Sequence, residues 1–368
     1  MISRIKPFLI YLPYVFLFVI SLEILARIDD TISYGANPLG PYDPESMLLD
    51  RDENGVKGKA HGHYEKWMLN SLGFRGPEVV IPKPSGLLRI VTLGASETFG
   101  QYESAGEEWP NQLRRELKSA FPDKQIEVVN VAIVGLTMGS LARYYHHRVE
   151  GLHPDIVLLY PHFVEFVAGK PPRKETQVAK TGSVQKTNKA FSSFGPSRFL
   201  PKLKIAIKSK APSFFVTWVQ NRILQVNLAK IDTSLQISKL DTVRLATFDS
   251  LLSQFSQQLQ NQGVALMVSE YACTFQKASR EESIEGMENL WRRYPWMSRS
   301  LLVNGLQVYN QHIAEIANRN GALFIPEATL LVDYQKNWVG DGIHFTDAGA
   351  RAIMRNFFTP LSEWLAKK

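Results

Sequence analysis

Three residues of this chain have the types needed to activate a hydroxyl for attack on an ester: Ser96, Asp341 and His344. A serine hydroxyl is a weak nucleophile until a neighbouring base takes its proton. An imidazole serves best as that base when a carboxylate holds its tautomer and balances the cation that forms. Asp341-Gly342-Ile343-His344 is short enough for one tight turn to present both carboxylate and imidazole to a distant serine. Each residue alone has a plainer reading: Ser96 as a helix N-cap, Asp341 as the cap of a turn, His344 as a helix-start residue. The chemistry depends on whether the fold brings them together.

The surrounding pattern indicates how it would. Leu88–Leu93 is an apolar run between Gly86 and Gly94, which reads as a buried strand, and Ser96 follows it. A helix is expected over 107–121, a second strand over 126–133, a helix over 137–150 and a third strand over 155–160. Leu245, Phe248, Leu252, Phe255 and Leu259 have the spacing of an amphipathic helix that Gly263 ends, before a fourth strand over 264–269. Leu302, Leu306, Tyr309, Ile313 and Ile316 repeat that spacing up to Gly321, before a fifth strand over 322–326 and a last helix over 346–365. Strands alternating with helices imply an α/β fold with a mostly parallel sheet covered on both faces. Ligands gather beyond the carboxyl ends of such strands, where Gly94-Ala95-Ser96, Asn130–Gly135 and Asp341–His344 all fall.

Composition narrows the class. The chain has 368 residues, 45% hydrophobic and 21% charged, which excludes a fully disordered or multi-span membrane protein. Its single cysteine, Cys273, excludes an intrachain disulfide and any Cys-rich metal site. His61/His63 and His146-His147 lack the neighbouring ligands of a zinc site, and no cofactor is expected. The net charge is +7, yet residues 170–210 hold 11 Lys/Arg and one acid, so the remainder of the chain is slightly acidic.

Gly94-Ala95-Ser96-Glu97-Thr98-Phe99-Gly100, Asn130-x-Ala132-x-x-Gly135 and Asp341-x-x-His344 with Gly349 resemble the first, second and last blocks of the SGNH (GDSL-like) hydrolase superfamily. Asn70-Ser-Leu-Gly-Phe-Arg-Gly-Pro77 is similar to the stretch before the first block in membrane-anchored, exported members. The resemblance covers roughly residues 88–366 apart from the basic insertion. It implies a three-layer flavodoxin-like fold with a five-stranded parallel sheet. Ser96, His344 and Asp341 would be the triad, and the backbone N–H groups of Ser96 and Gly135 the oxyanion donors. The third block departs from the pattern. His162 falls where the family has glycine, and Val164 where an asparagine side chain donates to the oxyanion. Valine has no donor, which leaves His162 as the candidate substitute.

The first residues bear on location. Residues 8–26 are apolar apart from Ser21 and Glu23, follow Arg4 and Lys6, and precede Arg27, Asp29 and Asp30. About 20 such residues span a bilayer. With the positive side N-terminal, the remainder is expected on the periplasmic side of the cytoplasmic membrane. No small-residue cleavage site follows, so an uncleaved single-pass anchor is expected. The organisation expected is anchor 1–30, a linker and extended region 31–86, and an SGNH-like domain 87–368 with an insertion at about 168–240.

These readings lead to an exported, membrane-anchored esterase or O-acyltransferase acting on O-acyl groups, O-acetyl above all, of cell-surface polysaccharide. A lipid esterase and a non-catalytic binding or assembly protein on a degenerate scaffold are the alternatives. Residues 170–218 are expected to contact anionic lipid or acidic polysaccharide. A nucleic-acid role is disfavoured because the basic window has no recognition motif.

Overall fold

The computed structural model describes residues 6–40, 43–162, 197–210, 222, 236–272, 287–288, 290–292, 294–326, 334–339 and 341–367. Most of the expected insertion lies outside them, as do Val164, Cys273, Phe191, Phe194, Phe214, Phe215 and Trp218.

Five strands form one parallel sheet: β1 Leu88–Leu93, β2 Ile126–Asn130, β3 Ile156–Leu159, β4 Ala265–Ser269 and β5 Leu323–Ile325. Their order is β2-β1-β3-β4-β5, and every pairing between them is parallel. A strand covered on both faces must be largely apolar on both, which is why β3 reads as a continuous apolar run and β1 as one broken by Arg89 and Thr92. Ile90, Val91, Leu93 and all of β3 are fully buried.

The helices are α1 Lys6–Tyr34, α2 Ser96–Phe99, α3 Trp109–Ala120, α4 Met138–Tyr144, α5 Phe199–Lys210, α6 Thr242–Asn261, α7 Arg299–Arg319 and α8 Asp347–Ala366; α3, α6, α7 and α8 pack on the sheet, while α1 and α5 pack on each other. The expected helix over 137–150 is shorter: α4 passes into a π turn at Tyr145–Val149 and a 3-10 turn at Glu150–Leu152. The α3 and α8 helices pack together, with Trp109 stacked on Phe357 at 4.7 Å. In α6, Phe248, Leu252, Phe255 and Leu259 are buried as the periodicity requires, with Ser256 beside them, while Leu245 is only partly buried. Asp241 and Ser298 cap α6 and α7, accepting from the Arg244 and Leu301 amides.

Two regions depart from expectation. Residues 49–75 do more than link. They form two short antiparallel hairpins, Leu49–Asp52 with Gly55–Gly58 and His63–Tyr64 with Trp67–Met68. They then add Arg75 to the end of β2, its backbone N–H donating to the Asn130 carbonyl at 3.1 Å. The Asn70–Pro77 stretch is a self-bonded turn. Asn70 Oδ1 accepts from the Leu72 and Phe74 amides, and its Nδ2 donates to the Pro77 carbonyl.

The second departure is at the N-terminus. A helix forms where the anchor was expected, but among the described residues no helix is long and apolar enough to cross a membrane. The described apolar run is cut short by Glu23, Arg27, Asp29 and Asp30, which lie on the same helix. Glu23 accepts from the Arg198 and Phe199 amides and from Ser197 Oγ, capping α5. Lys202 of α5 pairs with Asp30 at 2.8 Å and with Asp29. Upstream, Tyr14 to Ile20 remain exposed.

Candidate active site

The β1 strand ends at Leu93, and the chain turns sharply through Gly94 and Ala95 into α2. A Cβ on Gly94 would meet Thr98 Oγ1 at 2.3 Å and the Tyr160 carbonyl at 2.8 Å, so only glycine allows this turn. Ser96 is the first residue of α2, where the backbone N–H has no intrahelical acceptor. Asn130 braces the turn from the neighbouring strand. Its Nδ2 donates to the Thr98 carbonyl at 3.0 Å and its Oδ1 accepts from the Ala132 amide at 3.2 Å. Gly135 lies in the turn that follows, at φ +78°, with open space where a Cβ would stand.

The opposite wall is the loop before α8. Val339 donates to the His344 carbonyl and Thr346 to the Asn337 carbonyl, which fold the segment back on itself. Gly349 lets α8 press on it, since a Cβ there would lie 2.0 Å from the Asn337 carbonyl oxygen. Within the loop Asp341 Oδ1 accepts from the Ile343 and His344 amides, both at 3.0 Å. Its Oδ2 lies 2.7 Å from His344 Nδ1. Burial alone pushes the Asp341 carboxyl up, but the His344 bond and charge and the two amides outweigh it and leave the carboxyl below its ordinary value. An ionised carboxylate only accepts, so Nδ1 carries the proton and Nε2 is left as an acceptor. His344 Nε2 stands 2.9 Å from Ser96 Oγ. Ser96 and His344 are both buried, and the Tyr102 ring lies 4.7 Å from the imidazole. The fold thus brings Ser96, His344 and Asp341 into one hydrogen-bonded chain at the carboxyl edge of the sheet.

Sequence reasoning missed Glu97. Its side chain is fully buried. Its Oε2 lies 3.1 Å from Ser96 Oγ and 3.4 Å from His162 Nδ1. Its Oε1 accepts from the Tyr271 hydroxyl at 3.3 Å. Burial pushes Glu97 up; the charge and hydrogen bond of His162 and the charge of His344 outweigh it and bring the carboxyl down to about 2. The readable signal was a carboxylate directly after the serine, in a segment whose other residues pack into the core. His162 follows β3 and its carbonyl accepts from the Tyr309 hydroxyl at 3.2 Å. Among the described residues no cluster of His, Cys, Asp and Glu is arranged to hold a metal ion.

No protein-family model matches the chain, and no curated protein does. Solved structures resemble it distantly. Axe2, an acetylxylan esterase from Geobacillus stearothermophilus, is 12% identical over 73% of this chain and 92% of its own, with a TM-score of 0.40. LAE5, an alpha/beta hydrolase from the metagenome of Lake Arreo in Spain, is 13% identical over 73% and 93%, with a TM-score of 0.42. Likeness at that level carries no weight for chemistry, which rests here on the geometry of the chain itself.

Proposed function

We propose that this chain is a serine esterase or O-acyltransferase whose nucleophile is Ser96. The observation that carries the reading is the unbroken relay from Ser96 Oγ through His344 to Asp341, at 2.9 and 2.7 Å. As Ser96 Oγ bonds to the ester carbonyl carbon, His344 Nε2 takes the hydroxyl proton and the carbonyl π electrons move onto oxygen. Asp341 balances the imidazolium. Collapse expels the alcohol, which receives the proton from His344 and leaves Ser96 acylated. Water or a sugar hydroxyl then takes the acyl group by the same steps in reverse order. The Ser96 and Gly135 amides are the proposed oxyanion donors; His162, the candidate substitute donor, lies against Glu97.

The substrate class proposed is an O-acylated carbohydrate, O-acetyl above all, as the block pattern implies. We place the chain at the outer face of a membrane, held by residues 8–26. Support comes from the exposed apolar side chains along α1 and from Arg4 and Lys6 before them. The basic window at 170–210 suits an acidic polysaccharide or anionic lipid beside that membrane.

The test is hydrolysis of p-nitrophenyl acetate by the full chain, with Ser96→Ala beside it. Turnover lost in the variant supports the reading. Turnover equal in both, or absent in both along with no acylation of Ser96, favours a binding scaffold. Membrane fractionation of the full chain against one lacking residues 1–30 checks the anchor.

A further inference from the structure

Two carboxylate–imidazole pairs converge on Ser96 Oγ. One is Asp341–His344, with the ring nitrogen 2.9 Å from the hydroxyl. The other is Glu97–His162, with the carboxylate 3.1 Å from the same hydroxyl. The second is arranged the other way round, the acid nearer the serine and the imidazole behind it. That order is a difficulty for the chemistry. A buried anion touching the nucleophile opposes the second anion that forms on the substrate carbonyl. Two like charges about 5 Å apart at an effective dielectric of about 20 repel enough to slow the step on the order of 100-fold.

A counter-charge for Glu97 is on hand. His162 Nδ1 is buried at ion-pair distance from Glu97 Oε2, 3.4 Å, and has no hydrogen-bond partner among the described residues. Tyr271 donates to Glu97 from β4's end and Tyr309 of α7 to the His162 carbonyl; both are neutral hydroxyls that hold the pair without supplying charge. We infer that Glu97 and His162 form a second charge pair at Ser96, in which the His162 cation offsets the Glu97 anion so that negative charge can build on the substrate oxygen. Glu97 is then a positioning residue that draws an imidazole cation to the reacting edge.

The inference rests on the esterase reading for its kinetic consequence, and the pair itself is observable without turnover. In the full chain, with p-nitrophenyl acetate, His162→Gln should lower kcat on the order of 100-fold with KM little changed, because an unbalanced carboxylate is left beside Ser96. The double variant Glu97→Gln/His162→Gln should recover most of that loss, since the unbalanced charge is gone. A double variant as slow as His162→Gln or slower overturns the inference, because a neutral donor or a packing residue would show no such rescue. The second measurement is 15N spectroscopy of histidine-labelled protein near neutral pH, the His162 signal being the one missing in His162→Gln. Two protonated ring nitrogens in the wild type and one in Glu97→Gln are expected. One protonated nitrogen in the wild type overturns the pair even if Ser96→Ala proves silent, while silence of Ser96→Ala alone overturns only the esterase reading.

Discussion

Glu97 and Glu103 are equally buried, at 1% exposure, and stand six residues apart, yet they are in opposite states. Glu97 is held down to about 2, whereas Glu103 is pushed up to about 8. Burial raises both; what differs is the company. Glu97 has a hydroxyl on each oxygen and an imidazole at 3.4 Å. Glu103 has the Tyr102 amide on Oε2 at 3.0 Å, while its Oε1 has no partner. The nearby cation, Arg75, is committed elsewhere. Its Nη1 donates to the Phe99 and Gly100 carbonyls and its Nη2 pairs with Glu108 at 3.1 Å. A buried carboxylate is charged here only where a counter-charge is left over for it. Within the 96–108 segment Glu97 and Glu108 are thereby held as charges and Glu103 between them as a neutral acid.

The largest effect that would separate the charged from the neutral positions is at Ser96. Ser96→Ala should lower ester turnover by about 1000-fold or more while leaving urea unfolding near wild type. If Glu103→Gln did the same, the division would fail. Next is Arg75→Met, which leaves Glu108 buried without its partner. Urea unfolding should show a loss of about 3–5 kcal/mol, the usual cost of stranding one half of a buried ion pair. A loss under about 1 kcal/mol would mean that Glu108 is balanced by something other than Arg75.

The third prediction is Glu103→Gln, read as stability against pH. The folded carboxyl titrates near 8 instead of 4.5, so the folded state keeps a proton that the unfolded chain has lost. That contribution is fully present below about 4.5 and is lost as the pH rises through about 8. Wild-type stability should therefore decline across that window, by at most about 1.4 kcal/mol per pH unit, and the glutamine variant should lack that component. Glu97 has the opposite sign: its contribution is present above 4.5 and is lost as the pH falls through about 2. The smallest effect is at Tyr102, a half-exposed ring against His344. Tyr102→Ala should slow turnover by roughly threefold to tenfold, the scale of one aromatic contact. No change would remove Tyr102 from the account of how His344 is held.

Much of this was legible from residue order alone. Five short apolar runs mark the five strands, and the inner ones are buried because a strand covered on both faces has no polar side to show. The helices carrying Leu245–Leu259 and Leu302–Ile316 follow from 3- and 4-residue apolar spacing, because only one face of each is buried. Ser96 after the first strand and Asp341–His344 before the last helix could be named because the carboxyl edge of such a sheet is where side chains from separate crossovers meet. Asn130, Gly135 and Gly349 belong to that edge for the same reason. The 49–75 region was not legible: its hairpins are two to four residues long, and what holds them is a buried arginine and close backbone contacts rather than a periodic face.

What residue order decided is the set of elements and the set of groups that could react, since periodicity and side-chain chemistry are properties of the chain itself. What only the tertiary structure decided is the charge state around Ser96. Glu97 and Glu103 look alike in sequence, and their difference depends on how far each stands from His162, Arg75, Tyr271 and Glu108. Electrostatic energy in a buried site varies steeply with distance and with the number of donors already engaged. Neither quantity exists until the chain has folded.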